Sequence, residues 1–331
     1  MDPVRIAQRA RHKERKLPPP KHADLNPFQQ KLHANPYARA LSSPVRLDAF
    51  TQARLPSSLL LDLDVKLDPS PPHNPHLVPS TLFSRSSPSA PQNPQVQGPK
   101  TYVQPRLALL KWLSEGKKTR WRQIVHARMQ DKLGGRALRQ LVWRSDMEDF
   151  VLGLLRKVVE RKLRWILRRG GPGSIVRSDG GVADAKEMQD VGCVIYTGSL
   201  SSLELSRVKL EVEDGFVKAE QLANGFWNLL KNARAKAKPR EQEALNNWAK
   251  ASRFPPHLNP RFVNPPLHFT TVTCGGRAVP VYSLVDMIGM DKTEELLKDT
   301  IFQDARCVVL KEGRITCGAQ MWLLRLQAYL T

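Results

Sequence analysis

The chain has only four cysteines in 331 residues, Cys193, Cys274, Cys307 and Cys317, and no two of them form a CxxC pair. That spacing resembles neither a zinc motif nor a secreted disulfide framework. It predicts four buried free thiols, which suit a reducing compartment such as the cytosol, nucleus or mitochondrial matrix. No run approaches 18 consecutive apolar residues, so no membrane-spanning helix is expected. No hydrophobic signal peptide is visible. The glycine clusters at Gly170-Gly171-Pro172-Gly173 and Gly180-Gly181 contain neither the P-loop pattern nor a full dinucleotide fingerprint. Gly170-Gly171 reads most simply as a helix stop. His268 with Cys274, Cys307 and Cys317 lacks the short paired spacings of a metal site. No nucleophile with a recognisable base stands out. The sequence therefore predicts no catalytic residue, no metal site and no cofactor.

Acidic residues are also scarce, 31 against 52 Lys and Arg, and the net charge is +21. The excess is clustered. Arg106 to Arg169 holds 18 Lys/Arg and 6 Asp/Glu, over half of the net charge. Dense positive charge on helical sequence is the electrostatic footprint of a polyanion, most often nucleic acid. The plain alternative is a solvated, soluble surface.

Prolines divide the chain. Of 26, 17 precede Tyr102. Residues 1–104 therefore read as a mostly disordered arm, with a docking motif at 35–63 and a Pro/Ser linker at 66–104. The basic start, MDPVRIAQRARHKERK, carries Asp2 and Glu14, a weak match to a cleavable presequence and an equal match to a nucleic-acid-binding arm. Asn35 and Pro36 suit the cap and first position of a short helix that Pro44 stops. Leu59-Leu60-Leu61 is too short to build a core and is expected to dock on a larger surface.

Residues 105–331 read as basic helices followed by a C-terminal α/β domain, for a mixed α/β fold overall. Helices are expected over 106–115, over 119–133 with Gly134-Gly135 as a stop, and up to Arg169 from a Ser145–Glu148 capping box. In the last, Val151, Leu154, Leu155, Val158, Val159 and Ile166 share an apolar face. Cys193 to Tyr196 reads as a buried strand, and helical runs are expected at 216–238 and 241–253. Then come a strand at 268–274, a Gly275-Gly276 hairpin turn, a strand at 279–284, a helix at 293–300, a strand at 307–310 and a helix at 318–330.

Lys157, Arg161, Arg164 and Arg168 repeat at spacings of 4, 3 and 4 and form one stripe on that long helix. Guanidinium forks fit phosphate oxygens, so the stripe is a candidate nucleic-acid contact. Trp112, Trp121, Trp143 and Trp165 lie in the same region. Tryptophan at helical spacing is usually core; Trp121, between Arg120 and Arg122, is the candidate for stacking on an unpaired base. Asp62 and Asp64 form an Asp-x-Asp pair of the kind that binds Mg²⁺, but no third carboxylate accompanies them.

The segment Asn35-Pro-Tyr-Ala-Arg-Ala-Leu-Ser-Ser-Pro-Val-Arg46, the later His76-Leu-Val-Pro-Ser-Thr-Leu82 and Tyr102-Val103 resemble the fungal family called required for respiratory growth protein 8, mitochondrial. Phe269 to Leu284 resembles that family's strand, glycine turn and second strand. The resemblance implies a protein of the mitochondrial matrix, needed for respiration through maintenance or expression of the mitochondrial genome, including RNA processing. It implies no catalytic residue. The family-like positions are Tyr37, Arg39, Ser43, Pro44 and Arg46, and a docking peptide that fixes the arm to the C-terminal domain would explain them equally well.

Three functions compete on this reading. The first is a non-catalytic factor that binds mitochondrial RNA or a ribonucleoprotein. The second is a structural or assembly component of the mitochondrial ribosome. The third is a metal-dependent RNA-processing enzyme using Asp62 and Asp64.

Overall fold

The computed structural model of the chain describes residues 3–4, 24–67, 74–82, 100–114, 120–125, 127–171, 173–179, 188–200 and 270–330, with single positions between 221 and 235. The basic start, most of the 69–99 linker, the expected helices at 216–238 and 241–253, and His126 and His268 lie outside the described residues or touch them only at single positions.

Within the arm, the described residues form regular elements. Helix α1 (Pro27–Ala34) has a closed capping box between Asn26 and Gln29. Helix α2 (Pro36–Leu41) starts where the sequence placed it: the Asn35 side chain accepts from the Tyr37 and Ala38 amides at 2.9 and 3.1 Å. Strands β1 (Val45–Leu47) and β2 (Arg54–Pro56) form a small hairpin. Buried Asp48 closes it, accepting from the Thr51 amide and hydroxyl and from the Phe50 and Gln104 amides. Strand β3 (Leu61–Leu67) then sits between β4 (Pro75–Pro79) and β5 (Thr101–Val103), antiparallel to both.

The prolines that made β4 look like linker fall at its two ends, opposite Leu67 and Leu63. On its other side, Leu77 and Pro75 exchange backbone hydrogen bonds with Val142. A strand end tolerates proline because no central ladder bond is lost. Leu61, Leu63, Leu77 and Val103 are completely buried and join the main core. Burying each leucine is worth about 2 kcal/mol, so this sheet is an integral layer of the fold.

Helix α3 (Leu107–Ser114), a 3₁₀ turn at Arg120–Ile124 and helix α4 (Ala127–Gln140) follow. Helix α4 runs through Gly134-Gly135 instead of stopping there. Glycine inside a helix costs only about 1 kcal/mol, and Met129, Leu133 and Leu138 pack on the core. Helix α5 (Met147–Arg169) is the longest element described. The expected capping box is not formed. Asp146 takes the N-cap position without a side-chain bond, and Glu148 accepts from the Ser114 hydroxyl at 3.1 Å. Glu148 and Asp149 in the first turn and Arg168 and Arg169 in the last complement the helix dipole. Gly170 ends the helix at φ −69°, so its requirement is room: a Cβ there would meet the Ile166 carbonyl and Ile175 side chain at 2.6 Å.

The C-terminal sheet has the order β6 (Ile175–Ser178), β10 (Cys307–Lys311), β7 (Val191–Tyr196), β9 (Arg277–Ser283), β8 (Thr271–Cys274). Only β7 and β9 pair in parallel. Gly275 and Gly276 have φ of 53° and 78°, the positive values that a two-residue hairpin of twisted strands demands. Side chains alternate across the sheet. Cys193, Ile195, Val308 and Leu310 face the main core, while Val194, Cys307 and Val309 form a second cluster with Val279 and Val281. Helices α6 (Leu284–Ile288) and α7 (Met290–Leu297) follow β9, and α8 (Arg314–Leu330) ends the described chain. Helix α8 starts one turn before the expected Gly318. It packs on α5 and carries α1 and α2 on its flank. Tyr329 donates to the Glu148 carbonyl at 2.7 Å, tying the end of α8 to the start of α5. All four cysteines are buried free thiols.

Candidate nucleic-acid interface

Three parts of the chain diverge to leave a cleft of about 1210 Å³. The arm makes one wall, with Arg39, Asp62, Lys100 and Tyr102. The C-terminal half of α5 makes the second, with Arg161, Lys162 and Trp165. Helix α8 makes the third, with Arg314, Trp322 and Arg325. Six cations and one carboxylate line it.

The carboxylate is already neutralised. Asp62 accepts from Lys100 Nζ at 2.7 Å, from the Ser80 hydroxyl at 3.0 Å and from the Thr81 hydroxyl at 2.5 Å. Burial alone would push the Asp62 carboxyl up; the bonds from Lys100, Thr81 and Ser80, with the Lys100 charge, outweigh it and hold the carboxyl below its ordinary value. Asp64 lies on the same face of β3 and accepts from the Val65 amide at 2.8 Å. A metal ion would have to displace Lys100. No group of three or more potential ligands that could hold a metal stands among the described residues. Both carboxylates stand in β3, the central strand of its sheet.

The stripe on α5 divides. Arg161 lines the cleft. Lys157 and Arg168 are exposed. Arg164 reaches Glu295 on α7 at 2.9 Å, and Glu160 pairs with Lys292 at 2.8 Å. The counter-charge to Arg164 thus comes from an element 131 residues away in sequence. These pairs are exposed and worth less than about 1 kcal/mol each.

Trp121 is corrected as a stacking candidate. It is 7 % exposed and stacks on Trp143, ring centroids 6.0 Å apart. Arg122 lies over its ring and donates to the Arg139 carbonyl; Arg120 lies over Trp112 at 4.6 Å and donates to its carbonyl. Among the described tryptophans the exposed one is Trp165, at 45 %.

Among the family-like residues, Arg39 bonds outside the arm, while Ser43, Pro44 and Arg46 make their contacts within it. Arg39 Nη1 lies 3.8 Å from Cys317 Sγ on α8. Burial pushes the Cys317 thiol up, with Arg39 opposing. Ser43 donates to the Ala40 carbonyl at 2.8 Å and accepts from the Ser58 amide at 3.0 Å; the Pro44 carbonyl accepts from the Ser57 amide. Arg46 lies over Tyr102 at 5.8 Å. Tyr37 is 44 % exposed, but burial of its hydroxyl end raises the phenol, with Cys193 adding to the effect. From the other side Arg325 donates to the Leu60 carbonyl at 3.1 Å, while its guanidinium covers Trp322 at 4.5 Å. The two walls are thus cross-tied at the cleft.

The family model for required for respiratory growth protein 8, mitochondrial, matches residues 8–131. That stretch, a little over a third of the chain, contains the arm wall of the cleft and ends before α5. Over this stretch the chain is similar to a family described as mitochondrial and required for respiratory growth. No curated protein and no solved structure matches it. No helix among the described residues is long and apolar enough to cross a membrane.

Sequence reading missed Lys100, Lys162, Trp165, Arg314 and Arg325 as cleft residues. One signal was available. Counting by helical neighbours, positions three and four residues to either side of Trp165 are Arg161, Lys162, Arg168 and Arg169, all cations. The α8 and Lys100 contributions depend on long-range packing that no local pattern announces.

Proposed function

We propose that this protein is a non-catalytic factor of the mitochondrial matrix that supports maintenance and expression of the mitochondrial genome by binding mitochondrial RNA in the basic cleft. The observation that carries the reading is the cleft's charge: six cations from the arm, α5 and α8 converge on one concavity whose single carboxylate is neutralised by Lys100. Cations brought together from distant sequence repel each other and gain stability when a polyanion enters. The family-like arm serves as one wall of the site and as the strap that holds the walls together.

The test is RNA crosslinking and sequencing from purified mitochondria, beside binding titrations of the pure chain over a salt series. Changing Arg161, Lys162 and Arg314 to Glu together removes crosslinked RNA, and the slope of log affinity against log salt shrinks by about 2, roughly 0.7 per lost single-strand phosphate contact. Arg164→Glu, at a site already facing Glu295, leaves less of a mark. A triple variant with unchanged affinity removes the cleft as the site. Discrete transcripts support an expression or processing factor; uniform ribosomal RNA coverage moves the protein to the mitochondrial ribosome.

A further inference from the structure

Along α5, Val151, Val158 and Trp165 are seven residues apart and so lie on nearly the same helix face. The first two are completely buried; the third is 45 % exposed. In the last turns the buried positions move round to Leu163, Ile166 and Leu167. On the Val151–Val158–Trp165 face burial therefore ends before Trp165, while Leu163, Ile166 and Leu167 continue the core beside it, and the cleft begins where this face would otherwise be covered. A large aromatic ring is left on the cleft wall, with Arg161 and Lys162 one turn before it and Arg168 and Arg169 one turn after.

We propose that this wall takes unpaired RNA, with one base stacked on the Trp165 indole and the flanking phosphates on the neighbouring cations. The inference rests on the RNA reading above and adds the form of RNA. Three observations point to a single strand. An indole offers a stacking face to a base that has left its helix, and a paired base has no free face to give. At about 1210 Å³ the cleft is somewhat larger than the ~300–1,000 Å³ of small-molecule sites, room for a short run of nucleotides and far too little for a duplex. The opposite wall adds cations at Arg314 and Arg325, the latter fixed by its bond to the Leu60 carbonyl, so a strand between the walls meets charge on both sides. Stacking is open to every base, so binding is tolerant of sequence.

The experiment is fluorescence anisotropy of the full chain at fixed salt, with a short oligouridylate and a blunt RNA duplex of equal length, read beside quenching of tryptophan emission. The single strand binds more tightly than the duplex. Trp165→Ala weakens single-strand binding about tenfold and leaves duplex affinity unmoved; Trp165→Phe restores most of the loss. The half-exposed position lets both variants keep the parent's circular dichroism and thermal midpoint. Equal affinity for the two RNAs, or a Trp165→Ala variant that binds the single strand like the parent, overturns the inference while the RNA reading stands on the charge-reversal result. Absence of binding to either RNA overturns the RNA reading and this inference with it.

Discussion

Lys100 and Asp62 illustrate how one residue pair can shape both stability and binding. Their side chains are 14 % and 11 % exposed, so the pair is largely out of water. Removing one partner of such a pair leaves a buried charge uncompensated and costs about 3–5 kcal/mol. Lys100→Met is expected to destabilise by that order, and the pH dependence of the loss carries the sign. In the parent protein the folded carboxyl lies below its unfolded value, about 3.9. Its contribution is therefore complete above that value and is lost as pH falls through the depressed folded one. In Lys100→Met the lowering by Lys100 is gone, and burial works against the remaining bonds from Thr81 and Ser80 alone, so the carboxyl rises relative to the parent. The variant then regains stability relative to the parent as pH falls into the carboxylate range. Urea unfolding at several pH values reads this directly. Parallel stability profiles for the two proteins would show that Lys100 does not set the state of Asp62. At this scale little was legible in advance: the Asp62–Asp64 spacing is local and offered a metal pair only as an alternative lacking a third ligand, whereas Lys100, Ser80 and Thr81 arrive from 18 to 38 residues away.

At the scale of elements, α8 carries a testable weakness. Gly318 sits inside this helix and lines the cleft, and a Cβ built there meets nothing within 4 Å. Its backbone is not in the left-handed region, so glycine is not required by geometry. Gly318→Ala should stabilise the protein by about 0.5–1 kcal/mol, by lowering the entropy of the unfolded chain and favouring the helix. A methyl group occupies little of the cleft, so RNA affinity should stay unchanged. Thermal unfolding and one binding titration check both halves; a lower midpoint would mean that the helix needs flexibility at this point. Gly318 also shows why element reading partly failed. It looked like a helix start, as Gly134-Gly135 looked like a stop, because glycine is a weak local signal that tertiary packing overrides. The signals that did transfer combine local geometry with a named bond or conformation: the Asn35–Pro36 start of α2, and the positive φ of Gly275 and Gly276 between β8 and β9. Strand β4 was hidden by its terminal prolines, and the tie from Arg164 to Glu295 by 130 residues of intervening chain.

For the whole molecule, the question is whether the arm is an appendage or part of the folding unit. Composition argues for an appendage, since 17 of 26 prolines precede Tyr102. Packing argues the other way. Leu61, Leu63, Leu77, Leu82 and Val103 share one core cluster with the apolar face of α5 and with Leu323 and Leu326 of α8. Deleting them would expose that face and forfeit about 10 kcal/mol of burial at roughly 2 kcal/mol per side chain, comparable to the whole net stability of an ordinary domain, about 5–15 kcal/mol. A fragment of residues 105–331 is therefore expected to lack cooperative unfolding and to expose apolar surface to a dye such as ANS, while the full chain unfolds in one transition that includes the arm. A fragment with a sharp transition near the parent's midpoint would make the arm a separable tether. The same deletion removes Arg39, Lys100 and Tyr102 from the cleft, so folding and RNA binding should be lost together. A cleft assembled from both ends of the chain can form only after α8 has docked against the arm. On the RNA reading, the arm completes a site whose cations come mainly from outside it.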